Sequence, residues 1–242
     1  MSAVTGRRGS SVLGWLHRRD WLDRPGSPTL REARGRVAIA ALLFAVAIGG
    51  MAPRAAGQPA TAPTLSGPEL LAALRAGGLI LYFRHADTDH QQNDTRMRSV
   101  EDCANQRNLT DRGREHARAI GESIRALAIP VGPVLASPMC RTMETARLAF
   151  GIAEPAPAAR EAGPSPPGTP ERYAALRALL STAPPTGKDT VIVGHGYPFY
   201  SLVGGQILDE GQAAVVEPTA GGFRVVARVG LAEWRALAHA SP

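Results

Sequence analysis

Short apolar runs of strand length alternate with amphipathic segments over residues 68–242. Residues 78–83 (GLILYF) and 190–193 are continuously apolar, which is typical of strands that are covered on both faces. The segment 110–127 instead repeats apolar residues at every third or fourth position, and Thr110 can cap a helix there. This alternation predicts an α/β layer fold.

The remaining pattern predicts the other elements of the fold. Four more helices are expected at 68–76, 141–150, 171–181 and 232–238, with a short strand at 134–136 and a hairpin formed by 214–217 and 223–229. Residues 153–170 contain six prolines and are expected to form a long surface loop. Loops of that length are usually binding elements or mobile segments.

The first 57 residues have a different character from the rest. Residues 37–51 carry no charge, follow a basic stretch over 31–36 and are followed by Ala-Ala-Gly at 55–57, which is the pattern of a secretory signal. The uncharged run extends to residue 53, whereas a membrane-spanning helix needs about 20 apolar residues. We therefore predict a signal peptide within 1–57, with an uncleaved membrane anchor through 37–53 as the alternative.

Export would place the rest of the chain on the outer side of a membrane. Residues 58–67 are rich in Pro, Ala, Ser and Thr and are expected to form a linker. Residues 68–242 then form one domain that is periplasmic or extracellular, or, in the alternative, anchored in the membrane with the domain outside.

The net charge of +6 and the pI near 10.1 suggest at first a nucleic-acid partner. Residues 1–57 hold nine arginines and three acidic residues, however, and this excess accounts for the whole net charge. Residues 58–242 carry 18 basic and 18 acidic side chains. The basic character thus belongs to the export segment, and we predict no nucleic-acid partner for the domain.

Three polar clusters each follow directly on a predicted strand. They are Arg84 to Thr88, Ser137 to Arg141 and Gly194 to Gly196. Because ligands of open α/β sheets bind beyond the carboxyl ends of the strands, we expect the clusters to converge on one pocket. The pocket would hold two histidines and two arginines, which favours phosphate as the ligand. Arg141 lies in the first turn of a helix, where a bound anion would offset the unfavourable helix dipole.

These motifs resemble those of the histidine phosphatase superfamily. The segments LYFRHADT, LASPMCRTMETA and VIVGHG resemble its Arg-His-Gly motif, its Ser-x-x-x-Arg-x-x-x-Thr-Ala helix start and its late Gly-His. The run from Asn108 to Gly113 is similar to the Leu-Thr-x-x-Gly segment at which a helix begins in the family. The resemblance covers about residues 68–238 and is to the compact branch. It implies a three-layer α-β-α fold, phosphoglycerate-mutase-like, with a mostly parallel central sheet.

The resemblance also implies roles for individual residues. His85 would be the nucleophile that forms a phosphohistidine, and Arg84, Arg141 and His195 would surround the phosphoryl oxygens. Thr88 would donate to the phosphate or, alternatively, cap a turn. The chain would then be an exported phosphomonoesterase that needs no metal or other cofactor and acts on a small phosphorylated substrate. A phosphomutase and a non-catalytic phosphate-binding domain are the alternatives.

Two departures from the family pattern concern the reaction itself. Ala86 stands where the family has glycine after the nucleophile. The general acid that protonates the leaving group has no flanking motif, so that Glu154, Glu161 and Glu171 are all candidates. We favour Glu161, because its proline-rich loop could fold over the pocket.

The two cysteines exclude a disulfide-rich scaffold and a multi-cysteine zinc site. In an oxidising compartment Cys103 and Cys140 could form a bridge that pins the loop before Asn108 against the phosphate pocket. The alternative is a buried Cys140 and a free thiol at Cys103 on the surface. His90 and His116 are expected to face water.

Overall fold

The computed structural model describes residues 64–161 and 170–240. The predicted signal or anchor in 1–57, most of the predicted linker at 58–67 and residues 162–169 of the proline-rich loop lie outside the described residues. Among the described helices, none combines the length and the apolar character that crossing a membrane requires.

The described residues form a six-stranded sheet in the order β3-β2-β4-β1-β5-β6. The strands are β1 (Ile80–Arg84), β2 (Val131–Ala136), β3 (Glu154–Pro155), β4 (Asp189–Gly194), β5 (Ala213–Thr219) and β6 (Gly222–Val229). The first four strands of that order pair in parallel, whereas β5 is antiparallel to β1 and β6 is antiparallel to β5. The mostly parallel sheet and the carboxyl-terminal hairpin are therefore as predicted.

Helices cover both faces of the sheet. They are α1 (Gly67–Ala76), α2 (Asp111–Ala126), α3 (Cys140–Phe150), α4 (Ala174–Leu180), α5 (Gly196–Val203) and α6 (Leu231–Ala240). Successive side chains of a strand point to opposite faces. Leu81 and Phe83 of β1 accordingly pack in the core with α1, α2, α3 and α6, while Ile80 and Tyr82 pack in the core with α4 and α5. This arrangement confirms three layers.

Three elements differ from the sequence prediction. The helix expected at 171–181 begins as a 3₁₀ turn over Pro170–Tyr173 and becomes α-helical only at Ala174. Part of the proline-rich segment pairs as the two-residue strand β3. The pattern also missed α5, which contains Gly196 and Pro198. Both residues lie in the first turn, where proline fits because its missing N–H has no intrahelical partner anyway.

Strands β2, β4 and β1 are neighbours, and this places the three polar clusters side by side. The N–H of His85 donates to the carbonyl of Gly194 at 3.0 Å, and the N–H of Ser137 donates to the carbonyl of Val193 at 2.9 Å. The clusters after all three strands therefore meet at one edge of the sheet, as the sequence predicted.

Candidate active site

His85 is buried at the end of β1, with 1% of its surface exposed. Its Nδ1 lies 2.9 Å from the carbonyl oxygen of Ala86, and because a carbonyl only accepts, Nδ1 carries the proton in the neutral ring. Burial lowers the pKa of His85 well below its ordinary value, and Arg141 lowers it further. His85 is therefore neutral at pH 7, with an unprotonated Nε2.

Arg84 is the last residue of the same strand, and groups of the loop before β5 hold its side chain. Its Nη1 donates to the carbonyl of Leu208 at 2.8 Å, and its Nη2 donates to Oε1 of Glu210 at 3.2 Å. Glu210 also accepts from the backbone N–H of Thr88 at 2.9 Å and from the Thr88 hydroxyl at 2.8 Å. The sequence offered no motif that would have singled out Glu210.

The position of Thr88 changes the role expected from the family resemblance. Its side chain is buried, and the proton of its hydroxyl is committed to Glu210. In this structure Thr88 thus positions the carboxylate that holds Arg84, and direct donation to a phosphate would require that hydrogen bond to break. The turn-capping alternative also falls short, because the acceptor is more than 100 residues away in sequence.

Arg141 lies in the first turn of α3 and is almost fully buried. Its Nη1 contacts both carboxylate oxygens of Asp94, at 3.2 and 3.1 Å. Burial lowers the pKa of Arg141 and the charge of Asp94 opposes this shift, but an arginine stays cationic in a protein. Asp94 is a further residue of the site that no sequence motif indicated.

His195 faces His85 with a ring-centroid distance of 5.5 Å. Its Nε2 lies 2.8 Å from Oγ of Ser137, while its buried Nδ1 has no hydrogen-bond partner among the described residues. Burial lowers the pKa of His195 well below its ordinary value, with smaller contributions from His85 and Arg141. The serine of the second motif thus orients the histidine of the third.

The backbone of His195 is held by the buried Tyr82 of β1. The phenol donates to the carbonyl of His195 at 2.9 Å and accepts from its N–H at 3.0 Å. Burial raises the pKa of Tyr82 well above its ordinary value, which keeps the phenol protonated. Gly194 makes room for this contact, since a Cβ at that position would clash with the phenol oxygen.

Glu161 lies at the site, whereas the other two candidate acids do not. Its Oε2 is 3.8 Å from Nδ1 of His195, and 23% of its side chain is exposed. Burial raises the pKa of Glu161, and the charges of Arg141, Arg107 and Arg84 oppose this shift. Glu154 and Glu171 are exposed, and no contact among the described residues joins either of them to the histidines.

Thr145, the last residue of the Ser-x-x-x-Arg-x-x-x-Thr motif, also fixes the backbone next to His85. Oγ1 of Thr145 accepts from the N–H of Ala86 at 3.1 Å and donates to the carbonyl of Arg141 at 2.7 Å. One hydroxyl therefore fixes the backbone next to His85 relative to the first turn of α3. Ala86 itself is fully buried, so that its methyl group is accommodated in the packed backbone turn.

Cys103 and Cys140 form a disulfide with a Cα–Cα distance of 5.7 Å. Cys140 directly precedes Arg141, and Cys103 belongs to the loop that leads to α2. The bond therefore attaches that loop to the first turn of α3, next to Arg141.

The expectation that His116 faces water is wrong. Its Nδ1 lies 2.6 Å from Oδ2 of Asp87, and its side chain is mostly buried. This contact ties α2 to the loop that follows His85. His90 is exposed as expected, and its Nε2 lies 3.5 Å from Oε1 of Glu210.

The arrangement brings the neutral imidazole of His85 together with fixed cationic donors. The charges of Arg141 and Arg84 both lower the pKa of His85. Cations that are preorganised in a buried site stabilise negative charge far better than water does. The geometry suits a dianionic phosphoryl group next to Nε2 of His85.

Comparison with known families agrees with these motifs. Residues 80–161 match the family model of the histidine phosphatase superfamily (branch 1), and this segment includes Arg84, His85, Arg141 and Glu161. No sequence among the curated proteins matches the chain. The match over residues 80–161 agrees with the resemblance that the motifs carry, and the observed sheet confirms the predicted three-layer α/β fold with a mostly parallel central sheet.

Several solved structures are similar to this chain. A mycobacterial glucosyl-3-phosphoglycerate phosphatase in complex with inorganic phosphate is 15% identical, with a TM-score of 0.48 over 64% of this chain and 99% of its own. The protein histidine phosphatase SixA complexed with tungstate is 20% identical, with a TM-score of 0.44 over 64% and 97%. A phosphoserine phosphatase mutant from Entamoeba histolytica in complex with phosphoserine is 13% identical, with a TM-score of 0.42 over 63% and 97%.

Proposed function

We propose that this chain, a member of the histidine phosphatase superfamily through residues 80–161, is an exported phosphomonoesterase that works through a phosphohistidine on His85. The observation that carries the proposal is the hydrogen bond from Nδ1 of His85 to the carbonyl of Ala86. Because Nδ1 carries the proton, the lone pair on Nε2 of the neutral, buried imidazole is free. A residue that only bound phosphate would not need a lone pair directed at phosphorus.

In the first step, Nε2 of His85 attacks phosphorus in line with the bond to the leaving oxygen. A bond from nitrogen to phosphorus forms, and the bond from phosphorus to the leaving oxygen breaks. The guanidinium groups of Arg84 and Arg141 stabilise the charge on the equatorial oxygens. With the Ser137 hydroxyl donating to Nε2 of His195, the ring proton of His195 is on Nδ1, which donates to a phosphoryl oxygen.

Glu161 supplies the proton that the leaving oxygen needs. Burial favours the neutral carboxyl group, because it raises the pKa of Glu161. The resulting carboxylate then accepts a proton from the water that attacks the phosphohistidine. Phosphate leaves, His85 regains its lone pair and Glu161 is again protonated.

We propose that the reaction is independent of metal ions. Arginines supply the positive charge that divalent cations supply in many phosphoryl-transfer enzymes. Activity should therefore survive dialysis against EDTA, and a strong loss that added metal restores would count against this mechanism.

The central test is the phosphoenzyme itself. The purified protein is mixed with ³²P-labelled phenyl phosphate and quenched in alkali, where phosphohistidine is stable. We expect alkali-stable, acid-labile label that is absent from His85→Ala and retained in His239→Ala, a control at an exposed histidine. Absence of both label and turnover in the wild type would favour the phosphate-binding alternative. Transfer of the label to an added hydroxyl compound, in place of release as phosphate, would favour a mutase.

Export is the second part of the proposal, and it rests on the signal-like segment of the sequence. The Cys103–Cys140 disulfide supports it, because disulfides persist in oxidising compartments. Expression in the native host followed by fractionation and amino-terminal sequencing tests it. A mature chain that begins near Gln58 outside the cytoplasm is expected, whereas full-length protein in the membrane fraction would favour the anchor through 37–53.

A further inference from the structure

Three arginines of this structure share one unusual feature. The Nε atoms of Arg84, Arg107 and Arg141 are buried without a hydrogen-bond partner among the described residues. Buried donors are nearly always satisfied, so unsatisfied ones call for an explanation. Arg84 and Arg141 belong to the motifs of the proposed phosphoryl site. Arg107 has the same feature but belongs to no motif that the sequence singled out.

The backbone of Arg107 is built into the site through Asp94. The N–H of Arg107 donates to Oδ1 of Asp94 at 2.8 Å, and its carbonyl accepts from Nη1 of Arg141 at 3.4 Å. Asp94 at the same time pairs with the guanidinium of Arg141. Arg107 is therefore attached directly to one of the two motif arginines.

Arg107 is the one of the three arginines whose guanidinium forms no ion pair among the described residues. Arg84 forms an ion pair with Glu210, and Arg141 forms one with Asp94. Within residues 64–161 and 170–240, no carboxylate lies within 4.0 Å of the Arg107 guanidinium, and no hydrogen bond from it is found. Its charge nevertheless contributes, as do those of Arg84 and Arg141, to lowering the pKa values of both His85 and His195.

The loop that carries Arg107 is held on both sides by the disulfide cysteines. The Gln106 side chain accepts from the N–H of Cys140 at 3.0 Å, and the Asn108 side chain donates to the carbonyl of Cys103 at 2.8 Å. The residues immediately before and after Arg107 are thus fixed to the two halves of one covalent bridge.

We propose that Arg107 is a third arginine of the phosphoryl site, held there by the Cys103–Cys140 disulfide. The proposal rests on the proposed function, because it concerns the same phosphoryl group. Its guanidinium donates to a phosphoryl oxygen and satisfies the buried Nε–H. Since Arg84 and Arg141 are each paired with a carboxylate, Arg107 adds to the site a positive charge that has no ion pair among the described residues.

Binding of inorganic phosphate, measured by titration calorimetry on the purified protein, tests the role of Arg107 without depending on turnover. Loss of a hydrogen bond to a charged group predicts that Arg107→Gln weakens binding about tenfold or more. Arg107→Lys should bind with intermediate affinity, because it keeps the charge and loses the fork geometry. Arg118→Gln, at an exposed arginine of α2, should bind like the wild type.

Arg141→Gln separates failure of this proposal from failure of the proposed function. Weaker binding in Arg141→Gln combined with wild-type binding in Arg107→Gln would overturn the role of Arg107 and leave the phosphoryl site intact. Unchanged binding in both variants would overturn both. If Arg107→Gln does not fold, Arg107→Lys serves as the test instead. A phosphate affinity equal to that of the wild type in Arg107→Lys would then overturn the proposal.

Reduction with dithiothreitol tests the role of the disulfide. If the bridge acts by holding Arg107, reduction should weaken phosphate binding by the wild type but change binding by Arg107→Gln less than about twofold, because effects at coupled sites are not additive. An equal loss in both proteins would show that the bridge acts on the whole fold, and would overturn this half of the proposal.

Discussion

The hydroxyl of Thr145 accepts a hydrogen bond from the backbone N–H of Ala86 at 3.1 Å and thereby joins α3 to the residue that follows His85. The same hydroxyl donates to the carbonyl of Arg141 at 2.7 Å. His85 and Arg141 are therefore positioned relative to each other through one side chain. In-line attack would depend on the position of His85 relative to the arginine that binds the phosphoryl oxygens.

Replacing Thr145 by valine keeps the shape of the side chain and removes this link. A buried N–H without an acceptor costs about 1–3 kcal/mol of stability, and we expect kcat/KM for phenyl phosphate to fall as well. Denaturant unfolding and steady-state kinetics measure the two effects. Thr182→Val, at an exposed threonine of the α4 end, is the matched control. Wild-type kinetics in Thr145→Val would show that the link is dispensable for catalysis.

Glu161→Gln should slow hydrolysis of alkyl phosphates far more than that of aryl phosphates with good leaving groups. Loss of general acid catalysis costs about 10²–10⁴-fold where the leaving oxygen needs a proton. Steady-state kcat for a series of leaving groups measures the effect. Glu154→Gln and Glu171→Gln are the controls, because both residues are exposed.

The pH dependence of the same reaction provides a second measurement on Glu161. Burial raises the pKa of Glu161, and the protonated form is the active acid. The rate for alkyl phosphates should therefore fall as pH rises through that raised pKa. Glu161→Gln should lack this decline, and persistence of the decline in the variant would assign it to another group.

Loss of the disulfide should destabilise the protein markedly. The bridge spans 37 positions of sequence, and closing a loop of that size stabilises by about 3–4 kcal/mol in the chain-entropy description. Cys103→Ser/Cys140→Ser is expected to lose this amount in denaturant unfolding, and the reduced wild type should unfold like the variant. Since the chain has two cysteines, thiol titration of the unfolded, unreduced protein should find none. Two reactive thiols would contradict the bridge.

Asp189 should make stability depend on pH in a specific direction. Its side chain is buried at the start of β4, where one oxygen accepts from the N–H of Leu79 at 2.8 Å and the other has no partner among the described residues. Burial raises the pKa of Asp189 to about 6. The folded state therefore holds the proton more tightly than the unfolded state, whose pKa is near 3.9.

The cost of this buried charge is absent below about pH 4, grows as pH rises to about 6 and then stays constant. Asp189→Asn removes this cost. The free energy of unfolding of the variant relative to that of the wild type should therefore increase by about 3 kcal/mol between pH 4 and pH 7. Unfolding in denaturant at a series of pH values measures the change. Asp209→Asn, at an exposed position, should follow the wild type throughout.

The amino-acid sequence alone determined the α/β class, most of the helices and strands, and the convergence of Arg84, His85, Arg141 and His195. These features follow from local periodicity and from one topological rule. Polar motifs that follow adjacent parallel strands meet at the carboxyl edge of the sheet. The hydrogen bond from His85 to Gly194 at the β1–β4 pair is the direct result.

Only the tertiary structure decided which loop residues complete the site. Arg107, Asp94 and Glu210 lie in loops without a repeating pattern, and their contacts depend on how distant parts of the chain pack together. Thr88 illustrates this, because its hydroxyl donates to a carboxylate that is 122 positions away. Periodicity reports which face of an element is buried, but a loop side chain is placed by contacts with segments that are remote in sequence.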